Sequence, residues 1–88
     1  MSHATNKDLK NRLKRAHGHL AKIIAMVEDN REALETAQQL QAVVSALDKA
    51  KTFLVTHHIE HHLEEAVGPL SDEARAKLGR LTDLAKYL

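Results

Sequence analysis

The chain has 88 residues, 43% of them hydrophobic, a net charge of +1, two aromatic residues (Phe53 and Tyr87) and no cysteine. A length of this order gives one domain, residues 1–88, burying only about 60 to 65% of its unfolded surface, so self-association is expected. The missing cysteines exclude disulfides, thiolate metal ligands and thiol-based sensing. No apolar run reaches the roughly 18 residues of a membrane span, and the N-terminal MSHATNKDLK lacks a signal-peptide core. The expectation is a cytoplasmic protein with no membrane partner.

The small net charge conceals a division. Residues 1–22 carry six Lys or Arg against one Asp, whereas residues 23–88 carry seven against eleven acids. One strongly basic segment in so small a domain suits a polyanion.

In residues 6–28, Leu9, Leu13, Ala16, Leu20, Ile23, Ile24 and Val27 recur at helical spacing within an arc of roughly 100°. Lys7, Lys10, Lys14, Arg15 and Lys22 project away from that arc, and Arg12 lies at its edge. Asp29-Asn30 then supplies turn and N-cap chemistry for a second helix. That helix is expected to run to about residue 66, on a stripe of Ala33, Ala37, Leu40, Val43, Val44, Leu47, Ala50, Leu54 and Val55. At 1.5 Å per residue it is about 50 Å long against about 33 Å for the first, so part of it lacks an intrachain partner. After Gly68-Pro69, Ser71 is the expected N-cap of a short third helix with a stripe of Ala74, Leu78, Leu81, Ala85 and Leu88. The fold class is all-α, with an exposed stripe that asks for a symmetric assembly.

Seven residues are histidine, four of them in the run from Thr56 to His62. On a helix, His57/His61 and His58/His62 are each four apart, so either pair can hold one divalent ion between two imidazoles. Helical phase places His58, His61 and His62 with Leu47, Leu54 and Val55, and His57 at the margin. Imidazoles buried in such a seam need a hydrogen bond or a metal. The plainer alternative is a helix end whose histidines are exposed or sense protons. His3 can complete a nickel- or cobalt-type site if the tail folds over, while His17 and His19 read as surface or packing residues. No nucleophile–base pair or Gly-rich phosphate loop supports an enzyme.

The run from Leu9 to His19, with Met26-Val27-Glu28 and the stretch from Gln39 to Lys49, resembles the CsoR/RcnR repressors over about residues 7 to 65. The resemblance implies a three-helix protomer with a long second helix, an antiparallel dimer, and a tetramer formed as a dimer of dimers. It also implies repression of operator DNA by the metal-free protein and release by the inducing metal. By position Arg12, Lys14 and Arg15 match the family's DNA-contacting residues, and Lys10 shares their basic face. The family's ligand pair near the end of the second helix falls on His58 and His62, and the nickel/cobalt branch adds a His near the N-terminus, here His3.

Two positions depart from the family pattern. The usual Cys ligand is Ala33, which disfavours copper(I) and leaves the position to His61, Glu32, Glu35 or water. A basic residue common in the second helix is Val44. The expected effector is therefore a divalent metal, nickel or cobalt first and zinc next. The alternatives are a DNA-binding relative that answers to pH, another effector or a protein partner, and a metal-storing or scaffold bundle that never touches DNA.

Overall fold

The computed structural model describes residues 3–85 and 87, and every regular element in them is an α-helix: α1 His3–Glu28, α2 Ala33–Val67 and α3 Asp72–Ala85. α1 and α2 form an antiparallel hairpin, and α3 docks on α2 rather than on α1.

The hairpin turn reassigns Asn30, which the sequence placed at the start of α2. Asn30 has φ 56°. Its N–H donates to Val27 O at 3.1 Å, and the Arg31 N–H donates to Met26 O at 3.0 Å. This is the Schellman pattern, with Asn in the left-handed position that closes α1. α2 starts later, after Glu32, whose side chain makes no cap hydrogen bond. Its first turn is held instead by the Arg31–Glu35 ion pair and by Thr36, whose N–H and Oγ1 both donate to Glu32 O at 3.0 and 3.1 Å.

No Gly or Pro interrupts the 35 residues of α2. Its end is set by Gly68, at φ 88°, whose N–H donates to Glu64 O at 2.9 Å. Ser71 caps α3 as expected, accepting the Ala74 N–H on Oγ at 3.1 Å.

The seam between α1 and α2 is narrower than the sequence arcs. In α1 the buried and half-buried residues include Leu9, Arg12, Ala16, His19, Ile23 and Met26, alternating three and four apart. In α2, Thr36, Val43, Ala50 and His57 repeat every seven. This is the spacing of a coiled-coil seam, with Ala16, Ile23, Val43 and Ala50 buried. Leu13, Leu20, Ile24 and Val27 on α1, and Leu40, Val44, Leu47, Leu54 and Val55 on α2, remain exposed. In an antiparallel hairpin, strips displaced from the seam in the same rotational sense open onto one side of the layer, so these residues form one apolar face.

α3 lies on the opposite side. It packs through Ala74, Leu78 and Thr82, whereas Leu81 is 64% exposed and Ala85 is exposed; the sequence stripe is therefore corrected at those two positions, and Leu88 lies outside the described residues. The extents of 55 × 28 × 17 Å leave less than two helix diameters of thickness. Such a layer cannot cover its own apolar face.

Candidate metal and nucleic-acid sites

His58 and His62 sit one turn apart near the end of α2, ring centroids 4.5 Å apart and nearly perpendicular at 80°. They share a 100° arc with Leu40, Val44 and Leu47, so the pair belongs to the open apolar face. Both are exposed in the protomer, His62 with 61% of its side chain accessible, and not in an intrachain seam. His61 lies 6.0 Å from His62, and Glu65 reaches both, with Oε1 3.0 Å from His61 Nε2 and Oε2 3.6 Å from His62 Nδ1.

His57 turns toward the seam. Its ring lies 4.4 Å from that of Phe53, and Nδ1 meets Glu60 Oε2 at 3.1 Å. The other Glu60 oxygen is 3.2 Å from Arg75 Nε, and Arg75 Nη2 donates to Glu64 Oε1 at 2.9 Å. The Arg75 hydrogen bond, with a Leu70 backbone N–H, holds the Glu64 carboxyl below its ordinary value of 4.5. One arginine thus fastens α3 to the histidine-bearing end of α2, alongside the 2.7 Å contact of Thr56 Oγ1 with Thr82 Oγ1.

His3 is placed in the first turn of α1, not in a loose tail, and is exposed. The antiparallel register, fixed by Arg12 over Phe53 and His19 on Gln39, carries it to the histidine end of the hairpin. Among the described residues no three His, Asp or Glu side chains converge on a metal position. One protomer therefore offers a two-nitrogen platform at His58 and His62. Imidazole pairs without thiolate suit nickel, cobalt or zinc better than copper(I).

Lys10, Lys14 and Arg15 are exposed along α1. Arg12 differs. Its Nε donates to Asp8 Oδ1 at 3.1 Å, and its guanidinium carbon lies 4.6 Å from the Phe53 ring centre. Helical spacing puts Arg12 at the edge of the apolar arc, and the structure makes it part of the seam. Lys14, Arg15 and Lys22 border a shallow depression between α1 and α2, where His19 Nε2 donates to Gln39 Oε1 at 2.8 Å. That interhelical bond had no local signal, because the partners are twenty residues apart.

No helix among the described residues is long and apolar enough to cross a membrane. A family described as metal-sensitive transcriptional repressor matches residues 5–86. The copper-sensing transcriptional repressor CsoR of Mycobacterium ulcerans (strain Agy99) is 36% identical over 77 residues, 88% of this chain and 64% of that protein. CsoR of Mycobacterium tuberculosis (strain ATCC 25618 / H37Rv) is 32% identical over 88% of this chain and 63% of its own length. The copper-sensing repressor RicR of the same strain is 34% identical over 80% of each. The chain thus spans just under two thirds of the length of these CsoR relatives. No solved structure matches it. With the family match covering nearly the whole chain, and relatives above 30% identity over most of it, the chain belongs to the metal-sensitive transcriptional repressors of the CsoR/RcnR family.

Proposed function

We propose that the chain is a repressor that holds operator DNA as a metal-free homo-oligomer and releases it when nickel, cobalt or zinc binds. The single observation that carries this reading is the His58–His62 pair on the open apolar face. A second copy packed against that face brings further donors to the pair, and the antiparallel dimer and dimer-of-dimers tetramer of the family supply such a packing. His3 and His61 are the first candidates to complete the site. Ala33 stands at the position where the family characteristically has Cys, which separates the proposed metal from the copper named in the relatives.

Lys10, Lys14 and Arg15 make the phosphate contacts, with Arg12 contributing from the seam edge. The bound metal supplies one thing, a preference for the assembly whose basic faces no longer fit the duplex. Release is then set by the difference in metal affinity between the two states.

The test is a cobalt(II) titration read by absorption, repeated with nickel, zinc and copper(I), beside a DNA-release assay at constant pH. One ion per protomer with a nitrogen/oxygen spectrum, and release that His62→Ala abolishes without harming DNA binding, is the expected result. Release preserved in His62→Ala overturns the site.

A second reading draws on the absence of three converging donors among the described residues. It is a DNA-binding relative that has lost metal sensing with its cysteine and answers to pH, another effector or a protein partner. Release that needs no metal at constant pH selects it.

A further inference from the structure

We infer that the depression between α1 and α2, bordered by Lys14, Arg15, His19, Lys22 and Gln39, is a seat for the phosphate backbone of duplex DNA, and that α2 enters the DNA surface through Gln39. The inference rests on the DNA-binding reading above and adds to its Lys14 and Arg15 three residues that reading does not use, His19, Lys22 and Gln39.

Three cations border the depression and no acidic residue lines it. Lys14 and Lys22 are eight residues apart, about 12 Å along the helix. Duplex DNA offers one phosphate per about 3.4 Å of axis on each strand, so the row can meet more than one.

The hydrogen-bonded His19 and Gln39 that line it fit the same ligand. Gln39 Oε1 is acceptor only, so the 2.8 Å bond fixes His19 as donor through Nε2. The bond uses the Gln39 acceptor and leaves its amide nitrogen with two donors, and phosphate oxygens take donors. Gly18 keeps the wall open, since a Cβ built there meets no atom within 4 Å. Contacts of this kind position a protein without reading sequence.

The experiment is duplex binding by the full chain across a salt series, on operator and unrelated DNA, for Lys22→Ala, Gln39→Ala, Gly18→Glu and Lys10→Ala. Lys22→Ala should reduce the slope of log affinity against log salt by about 0.9 for each protomer whose lysine sits on a phosphate. Gln39→Ala should weaken operator and unrelated duplex by the same factor. Gly18→Glu replaces glycine with a better helix former in open space, so its helicity should be kept or raised while its carboxylate weakens binding roughly ten-fold or more.

Wild-type affinity and slope in Lys22→Ala, Gln39→Ala and Gly18→Glu, with binding lost in Lys10→Ala, would overturn the seat and leave the DNA reading standing. Wild-type protein with no salt-dependent duplex binding would instead overturn the reading on which the seat rests.

Discussion

Arg12 and Phe53 join the two long helices by a cation–π contact of 4.6 Å, with Asp8 holding the guanidinium from one turn away. A residue that the family resemblance places on the DNA surface is thereby a packing residue of the hairpin. Arg12→Ala should lower unfolding stability by about 1 kcal/mol, the order expected for a partly exposed cation–π contact with its ion pair. Lys14→Ala should stay within about 0.5 kcal/mol of the parent, as surface changes do. Denaturant unfolding at one fixed protomer concentration measures both, because an oligomer's stability depends on concentration. Equal stabilities would remove the structural role of Arg12.

Much of this arrangement is local and was legible in the sequence: three helices, the Gly68-Pro69 break, the Ser71 cap, and histidines four apart on one face. The seam was less so. Arg12, His19, Thr36 and Gln39 lie in or beside it, and a hydrophobicity wheel does not assign such residues to a core. It merged two adjacent strips of α1 into one arc, of which only one packs within the chain. The Arg75 clamp and the His19–Gln39 bond join residues distant in sequence and carry no periodic signal. Helical spacing places His58 and His62 on one face but names no third metal ligand, and among the described residues no three donors converge.

The open face predicts that the protomer does not persist alone. Leu47→Lys with Val44→Lys places two charges amid Leu13, Leu20, Ile24 and Leu40, all exposed in the protomer. Each is already about half covered in the protomer, so burying the remainder in an assembly contributes on the order of 1 kcal/mol per side chain. Sedimentation equilibrium should show the parent as a multiple of 9.8 kDa, and the double variant as a monomer of reduced helicity. A parent that is monomeric, or a variant of unchanged mass, would refute the assignment of this face to self-association.

Arg75→Ala should free α3 and leave the hairpin intact, because α3 packs on α2 alone. Hydrogen exchange should quicken across Asp72–Ala85 and stay slow around Ala16 and Val43. The pH dependence follows from Glu64, whose folded pKa is depressed by Arg75. A depressed carboxylate contributes stability that is present above its unfolded value and is lost as pH falls through the folded one. In metal-free protein, α3 protection should therefore hold at neutral pH and fall below about pH 4.5, the ordinary Glu value. The Arg75→Ala variant should lack this acid step. An acid step of the same size in the variant would show that another group controls it.

The hairpin turn offers a test that separates two roles open to the same residue. Asparagine suits both a helix N-cap and the left-handed residue that closes a helix, and the structure gives Asn30 the second role, at φ 56°. Substitution by Gly or Ala does not distinguish the roles, since each predicts little loss for Gly and about 1 kcal/mol for Ala. Serine does. It is among the best N-caps, so an N-cap at residue 30 would tolerate Asn30→Ser with little change. In the left-handed region any Cβ crowds the following carbonyl oxygen, at a cost of roughly 1 to 2 kcal/mol relative to glycine, which the short amide of asparagine offsets by local hydrogen bonding and serine offsets less well. The backbone bonds from residues 30 and 31 to Val27 and Met26 involve no side chain and survive every one of these changes. Asn30→Ser should therefore fall close to Asn30→Ala, and both well below Asn30→Gly, in unfolding at one protomer concentration. A serine variant as stable as the parent would return Asn30 to the start of α2.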